Sequence, residues 1–183
     1  MEISHKEWIP QGCEIILGGM KSGQAKLLSA VGVRDLEPLE CKKHEDADTR
    51  IFAHIAFSAQ VQSCKRAVIY ATDTDILILG IYHSTMIQGL TELWMQKRDI
   101  FIPCHWISQY LSNSYSNSVG CAILSAYALT GCDTVSYIFN CGKKRALKVA
   151  LDCHEILEPF AEYGRLPESK HEVPEAILDF ACK

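Results

Sequence analysis

The stretch "RAVIYATDTDILILG" (residues 66–80) places two aspartates inside a run that is otherwise almost wholly apolar. Its first part, "RAVIYA" (66–71), is apolar at both alternating positions, which predicts a strand buried on both faces, as in a parallel sheet. Either Thr72 or Asp73 can cap a short helix that begins near Asp75. A buried strand that leads directly into a capped helix is the repeating unit of α/β folds.

The segments on either side continue this alternation. "CEIILGGM" (13–20) predicts a strand and a turn, a further strand is expected within "VRDLEPLE" (33–40), and "HEDADTRIFAHIAFSAQVQS" (44–63) has the period of an amphipathic helix. Later, "TELWMQ" (91–96) and "RDIFIP" (98–103) predict a hairpin or two neighbouring strands. Further helices are expected in "CHWISQYLSN" (104–113), "SVGCAILSAYALTGCDT" (118–134), "GKKRALKVALDCHEILEPFAEYG" (142–164) and "VPEAILDFACK" (173–183).

This order of elements predicts an α/β fold in which helices flank a mainly parallel central sheet. The expected domain organisation is a core over residues 1–151, which includes a hairpin and helix at 134–151, followed by a helical C-terminal extension over 152–183. In such sheets, ligands gather at the carboxyl ends of the strands. Asp73 follows "VIYA" at such an end, so the acids of the opening stretch are candidates for a functional site.

Composition and charge limit the classes of function. The chain has 183 residues, 48% of them apolar, and a formal net charge of −4, so any binding of nucleic acid has to come from a local basic patch. The N-terminal sequence lacks a basic start followed by an apolar stretch, so a signal peptide is not expected. No run reaches the roughly 18 apolar residues that a membrane span needs, so we expect no membrane partner.

The nine cysteines indicate the cellular compartment. Their number is odd, several lie in apolar runs such as "GCAILSAYALTGC" (120–132), and no C-x-x-C pair occurs. This usage predicts reduced, mostly buried thiols in an intracellular protein of the nucleus or cytoplasm, and it does not favour structural zinc. Trp8, Trp94 and Trp106 are scattered along the chain, and we expect them in the core rather than stacked on bases.

Three acidic groups lie at the edges of elements that we expect to be buried. They are Glu45, Asp46 and Asp48 at a helix start, Asp73 and Asp75 after a strand, and Asp133 after an apolar helix. Clustered carboxylates repel one another unless a positive group lies among them, and hard divalent cations are the usual partner. Two such ions about 4 Å apart can activate water and stabilise the leaving oxygen in phosphodiester cleavage.

Each acidic group also has an ordinary structural interpretation. Asp46 and Asp48 suit the positive end of a helix dipole. In this interpretation Asp73 is simply a helix cap, and Asp133 is an ordinary turn residue. The residues alone therefore leave a metal site and a purely structural role both open.

The order of three motifs adds a family resemblance. "HEDADTR" (44–50), "ATDTDILILG" (71–80) and "LTGCDTVSYIFNCGKKRALKVAL" (129–151) together resemble the PIN-like nucleases of the flap-endonuclease group. The combination of "ADTR", "DTD" and "ALTGCDT" is similar to that of uncharacterised, often transposon-associated animal proteins. The resemblance covers residues 44–151 and implies a PIN-like core that hydrolyses phosphodiester bonds of DNA or RNA with Mg²⁺ or Mn²⁺.

The resemblance assigns roles to five aspartates. Asp46 and Asp48 match the first acid pair of the family, Asp73 and Asp75 match the second pair, and Asp133 matches the acid of its Gly-x-Asp motif. All five would then hold the metal ions. The expected catalytic residues are Asp48, Asp73, Asp75 and Asp133, with water as the nucleophile.

A basic cluster follows the last motif. Gly142, Lys144 and Ala146 match the second glycine, basic residue and alanine of the family's helix-hairpin-helix, although Asn140 stands where its first glycine is expected. The resemblance therefore implies that a nucleic-acid backbone, of DNA rather than RNA, is bound by a short set of residues at this helix. That set is Gly142, Lys143, Lys144, Arg145 and Lys148. A solvated helix face is the ordinary interpretation of the same charges.

The sequence also departs from the family. No strand that carries a first metal-binding Asp precedes Glu14, so we expect an N-terminally truncated core, with Glu14 and Asp35 as weak substitutes. A catalytically inactive PIN-like module that binds nucleic acid or protein is the first alternative. The second is a haloacid-dehalogenase-type phosphatase, which also places D-x-D after an apolar strand, although Leu77 stands where that family has Thr or Val.

Overall fold

The structure is a computed structural model. It describes residues 9–18, 24–40, 47–131, 142–157, 160, 177, 179–180 and 182–183. The chain divides into two compact units. The first comprises Met1–Lys65 with Ile87–Leu90, and the second comprises Arg66–Met86 with Thr91–Lys183.

The first unit contains a three-stranded antiparallel sheet. Its strands are β1 (Glu14–Leu17), β2 (Lys26–Ser29) and β3 (Gly32–Asp35), in the order β1-β2-β3. A short 3-10 helix (Glu37–Leu39) follows, and α1 (Ala47–Gln60) is the helix predicted from the amphipathic period. A small core holds the unit together, and its buried members are Ala25, Leu27, Leu36 and Leu39.

The second unit contains the opening stretch of the sequence. In chain order its elements are β4 (Arg66–Tyr70), α2 (Thr74–His83), β5 (Glu92–Lys97), β6 (Ile100–Pro103), α3 (Cys104–Ser114), α4 (Val119–Leu129), α5 (Lys143–Asp152) and a 3-10 helix (His154–Leu157). The sheet order is β4-β5-β6, in which β4 and β5 are parallel and β5 and β6 are antiparallel.

The prediction of a mainly parallel central sheet is wrong. The described residues form two separate three-stranded sheets, one antiparallel and one mixed, with a single parallel pair. Parallel strands need a crossover of a dozen or more residues, whereas antiparallel strands need only a tight turn. Only α2 supplies such a crossover. β2 is joined to β3, and β5 to β6, by two residues each, so these pairs have to be antiparallel.

A second correction concerns β4, which is not buried on both faces. Ile69 is buried, but Val68 is 51% and Tyr70 73% exposed. β-branched and aromatic residues favour strands whether or not they are covered, so their presence on both faces of "RAVIYA" does not establish that both are buried. The described residues cover one face of this sheet and leave the other open.

The core of the second unit is built mainly from helices. α4, an apolar helix rich in small residues, packs on α5, and the buried side chains at this contact include Ala122, Ala126, Ala146 and Ala150. Small side chains let two helix backbones approach closely. The prediction of α4 as a buried central helix is confirmed, and Gly131 with φ +85° follows its end as expected.

The cysteines agree only in part with the sequence prediction. None of the six described cysteines is in a disulfide, as predicted, but only Cys104 is buried, so the expectation of mostly buried thiols is wrong for this part of the chain. Burial raises the pKa of the Cys104 thiol to about 11.

Within the described segments, no helix combines the length and the hydropathy that a membrane span needs.

Gly80 allows α2 and α3 to approach each other. A Cβ atom at Gly80 would lie 3.1 Å from the Sγ atom of Cys104, whereas one at Gly120 would meet nothing within 4 Å. We expect Gly80→Val to lower the free energy of unfolding by about 1–3 kcal/mol because the larger side chain overpacks this contact. Gly120→Ala, the control in α4, should leave that free energy unchanged or raise it by up to about 1 kcal/mol. Urea unfolding measures both, and equal effects would contradict the close contact.

An ion pair joins the first residues of β4 and β5 and makes stability depend on pH. Arg66 Nε and Nη2 donate to Glu92 at 2.7 and 2.8 Å, and Trp94 Nε1 donates to the same carboxylate at 2.9 Å. These donors, Arg66 first, lower the pKa of Glu92 from 4.5 to about 2. Because the pKa of Glu92 is lower in the folded state, its ionised carboxylate stabilises the fold at pH values above the ordinary pKa of 4.5. This stabilisation is lost as the pH falls towards about 2.

We therefore expect Glu92→Gln to lower the melting temperature at pH 6, and the difference from wild type to shrink as the pH falls from 4.5 to 2. Thermal unfolding followed by circular dichroism measures this difference. In an Arg66→Gln background the same Glu92 substitution should have a smaller pH-dependent effect. A difference that is constant with pH would contradict the assigned ion pair.

Candidate functional site

The acid pair of the opening stretch lies where β4 ends and α2 begins. Asp73 is the N-cap residue of α2, with φ −79° and ψ 141°, and its Oδ1 accepts a hydrogen bond from the Asp75 N–H at 3.1 Å. This confirms the predicted cap. Asp73 is exposed and Asp75 is partly buried, so the pair stands at the carboxyl end of a strand with at least one carboxylate open to solvent.

Asp75 is part of a hydrogen-bond chain that joins three helices. Tyr127 Oη, in the last turn of α4, donates to Asp75 Oδ1 at 2.5 Å. Lys143 Nζ, at the start of α5, in turn donates to Tyr127 Oη at 2.6 Å and lies 4.0 Å from the centre of the tyrosine ring. The first turns of α2 and α5 are therefore held together through one phenol, with a carboxylate at one end and an ammonium at the other.

The tyrosine is suited to this bridging position. Partial burial raises the pKa of the Tyr127 hydroxyl, the bond to Asp75 raises it further, and Lys143 opposes these effects. The hydroxyl therefore stays protonated at neutral pH and remains a donor to Asp75. This chain also keeps the positive charge of Lys143 close to the acid pair, which reduces the repulsion between the two aspartates.

The basic cluster occupies the first turns of α5. Gly142 is the N-cap residue and provides no side chain to cap the helix. Lys143, Lys144 and Arg145 follow directly and are exposed, as is Lys148 one turn later. Three cations at the positive end of a helix dipole repel it, and Gly142 offers the backbone N–H groups there no side-chain acceptor. An anion, and a phosphate in particular, would relieve both conditions.

A cavity of about 230 Å³ lies beneath this basic turn. Its walls come from α2, α4 and α5 and are mostly apolar. The lining residues are Thr74, Ile78, Ile123, Ala126, Tyr127, Thr130, Lys143, Lys144, Ala146 and Leu147. Thr74, which lies between the two aspartates, lines the cavity together with Lys143 and Lys144, whereas Asp73 and Asp75 are not among its lining residues.

Three further aspartates are predicted metal ligands. Asp48 is in the first turn of α1, in the first unit, and is partly buried. Asp46 and Asp133 lie outside the described residues. Within the described part of the second unit, the predicted ligands that lie together are Asp73 and Asp75, and the metal-binding roles of all five aspartates stay predictions.

The acid pair fits one hard cation. Mg²⁺ takes oxygen ligands and needs only one or two carboxylates because it retains several waters. A carboxylate has lone pairs for more than one partner, so the cap bond of Asp73 and the Tyr127 bond of Asp75 do not prevent coordination. Among the described residues, no group of three or more His, Cys, Asp or Glu side chains could hold a metal ion. A metal ion at the acid pair therefore stays a prediction.

Comparison of the chain with protein-family models, with curated proteins and with solved structures found no match. The resemblance to PIN-like nucleases stays a prediction from the motifs. Tyr127 is the residue of this site that the motifs did not indicate. The one available signal is its type, since a tyrosine inside an apolar helix of small residues usually needs a hydrogen-bond partner for its hydroxyl.

Removal of the Tyr127 hydroxyl should weaken the contact between α2, α4 and α5. We expect Tyr127→Phe to lower the free energy of unfolding by about 1–2 kcal/mol, because a charged acceptor and a charged donor each lose a partner. Urea unfolding at neutral pH measures the change. Tyr110→Phe is the matched control, since Tyr110 is 68% exposed on α3 and should change the same quantity by less than about 0.5 kcal/mol. Equal changes in both variants would contradict the bridging role.

Proposed function

We propose that the chain is a divalent-metal-dependent nuclease-like domain that hydrolyses phosphodiester bonds of nucleic acid. One observation carries this proposal: the hydrogen-bond chain from Lys143 through Tyr127 to Asp75 places a basic helix start against an acid pair. A phosphodiester backbone needs cations for its phosphates, and its hydrolysis needs a metal ion and a water held close to one of them. The described residues of the second unit include candidate groups for both tasks.

The acidic half of the site would hold the metal. Asp73 and Asp75 are the residues that would bind Mg²⁺ or Mn²⁺, which would supply an activated water and neutralise charge on the phosphate. Asp73 does this from a fixed position because its side chain also caps α2. Asp75 is oriented by the Tyr127 hydroxyl, so its carboxylate is held in one direction. The motif resemblance adds Asp48, Asp46 and Asp133 as further candidates.

The basic half would hold the substrate. Lys144 and Arg145 are exposed in the first turn of α5 and are the residues that would contact phosphate oxygens. Backbone N–H groups at a helix start, such as the start of α5 after Gly142, can donate to the same oxygens. Lys143 acts through Tyr127 on Asp75 and is therefore a positioning residue. DNA is the expected substrate from the resemblance, and RNA remains open to test.

The carboxylate role is tested with variants that preserve the cap. Asn caps helices as well as Asp does, so Asp73→Asn removes the charge and retains the helix start. We expect Asp73→Asn and Asp75→Asn each to lower cleavage of labelled DNA and RNA in Mn²⁺ by about 100-fold or more. Asp152→Asn, an exposed acid at the end of α5, is the control and should cleave like wild type.

Calorimetry with Mn²⁺ alone separates metal binding from cleavage. Wild type should bind Mn²⁺, and both site variants should bind it more weakly while Asp152→Asn does not. If wild type binds no Mn²⁺, or if all variants cleave equally, the metal-dependent function is wrong. Circular dichroism checks that each variant is folded.

The substrate role of α5 is tested by salt dependence. If Lys144 contacts a phosphate, Lys144→Gln should weaken binding of DNA of any sequence and reduce the slope of log K against log salt by about 1. Lys26→Gln is the control, since Lys26 lies in the first unit 4.0 Å from Asp35. An unchanged slope would show that the basic cluster is a solvated helix face.

A catalytically inactive binding module is the second candidate. The observation that favours it is that Asp75 Oδ1 already receives the Tyr127 hydroxyl at 2.5 Å, in a described site with two acids rather than three. Such a module would bind nucleic acid and Mn²⁺ without hydrolysis. Binding that depends on Lys144 together with no cleavage of flap, hairpin or single-stranded substrates would establish this candidate over the first.

A further inference from the structure

The described residues leave one face of the second unit's sheet open. Strand pairing forms three rows of residues across this face. The rows are Arg66 and Glu92; Val68, Trp94 and Pro103; and Tyr70, Gln96 and Phe101. The intervening residues, such as Ile69, Leu93 and Met95, are buried on the opposite face. Because side chains alternate along a strand, the aligned residues share the uncovered face.

Aromatic side chains dominate this open face. Tyr70 is 73% and Phe101 53% exposed, on either side of Gln96, and the partly buried Trp94 lies in the neighbouring row between Val68 and Pro103. Trp106, in the first turn of α3, is 61% exposed and lies 5.7 Å from Trp94 between ring centres. The expectation that Trp94 and Trp106 are core residues is therefore wrong for Trp106. We call Tyr70, Trp94, Phe101 and Trp106 the aromatic face.

Two features of the aromatic face favour nucleobases as its occupant. The polar and charged residues Gln96, Arg66 and Glu92 lie among the aligned rows, so the face is a set of separate rings rather than a continuous aliphatic groove. Lys97 and Arg98 lie in or beside the β5–β6 turn and are exposed, against the single acid Asp99. Separate aromatic rings beside local positive charge suit bases and phosphates, and stacking on such rings accepts any base.

The position of the face relative to the acid pair gives a third argument. Tyr70 ends β4 and Asp73 caps α2, and three residues span no more than about 11 Å. A strand of nucleic acid whose bases stack on this face would thus have its backbone within reach of the acids. Duplex DNA could not use the face in this way, because its bases are already stacked and paired.

We propose that the aromatic face binds the unpaired bases of single-stranded nucleic acid, and that the domain acts on single-stranded rather than duplex substrates. This inference rests on the proposed function for the identity of the reaction, but its binding step does not require hydrolysis. Tyr70 and Phe101 present their rings on the sheet, and Trp106 extends the surface from α3. A shallow depression of about 460 Å³, lined by Arg66, Val68, Glu92, Trp94 and Phe101, lies within this face.

Binding is measured by fluorescence polarisation of labelled oligo(dT) and oligo(U) in EDTA, so that neither metal nor cleavage contributes. Phe101→Ala and Trp106→Ala should each raise Kd about tenfold for both oligonucleotides, because one stacking partner is lost. Both side chains are more than half exposed, so their removal leaves no buried cavity. Tyr115→Ala is the control: Tyr115 is 45% exposed and, at about 100° per residue, lies half a turn around α3 from Trp106.

The outcomes distinguish this inference from the proposed function. If both variants bind oligo(dT) and oligo(U) like wild type, or if Tyr115→Ala weakens binding equally, the aromatic face is not the base-binding surface. If wild type cleaves DNA in Mn²⁺ and Phe101→Ala has the wild-type KM for single-stranded DNA, the inference is wrong and the proposed hydrolysis is supported. If the variants lose single-strand binding and wild type does not cleave, hydrolysis fails and the inference stands.

A second copy of the chain is the other occupant that the experiment detects. Light scattering after size-exclusion chromatography measures the mass of wild type and of Trp106→Ala. A wild-type dimer that the substitution converts to a monomer would assign the face to an interface between copies and would overturn the proposal. A mass that does not depend on Trp106, together with the expected rise in Kd, would support it.

Discussion

The second unit depends on the hydrogen bond that the Asp75 N–H donates to the Asp73 carboxylate. A parallel strand pair cannot close through a tight turn, so the chain must leave β4, form a crossover helix and return as β5. The cap determines where the strand stops and where α2 starts. Once α2 begins at Thr74, Gly80 faces Cys104 of α3 and Ile78 packs against the core cluster that includes α4.

The same cap makes a structural and a functional interpretation of the acid pair compatible. A carboxylate oxygen that accepts one backbone N–H still leaves lone pairs for a cation. Asp75 is coupled to the rest of the unit through Tyr127, and Tyr127 through Lys143, so the basic start of α5 is held against α2. Charges that are far apart in the sequence thereby compensate one another locally, even though the whole chain is acidic.

The two sides of the β4–β6 sheet differ in burial. Leu93 and Met95 are almost fully buried on the covered side and contribute the hydrophobic stabilisation. On the other side, the ion pair of Arg66 and Glu92 joins β4 to β5 without a covering layer. Large exposed apolar patches are uncommon unless they bind something, so the rings on this side are more consistent with recognition than with folding.

Local signals account for what the sequence predicted correctly. The N-cap at Asp73, the period of α1, the small-residue run of α4 and the glycine after it all act within a few residues, and each of these features is present as expected. The prediction of a mainly parallel sheet was wrong for a definite reason. Hydrophobicity on both sides of "RAVIYA" reports strand propensity, whereas parallel or antiparallel pairing depends on the length of each connection, and burial depends on which neighbours arrive.

The sequence by itself thus determined most of the described elements, although not β2, and the chemical types at two of their ends: two carboxylates after a strand and a basic turn at a helix start. Only the tertiary structure decided that these ends meet through Tyr127, because a hydrogen bond between residues 52 positions apart has no local pattern that could encode it. It likewise decided that Trp106 stands beside Trp94 on an open surface. Contacts of this kind arise from the packing of whole helices and strands, and no window of neighbouring residues contains them.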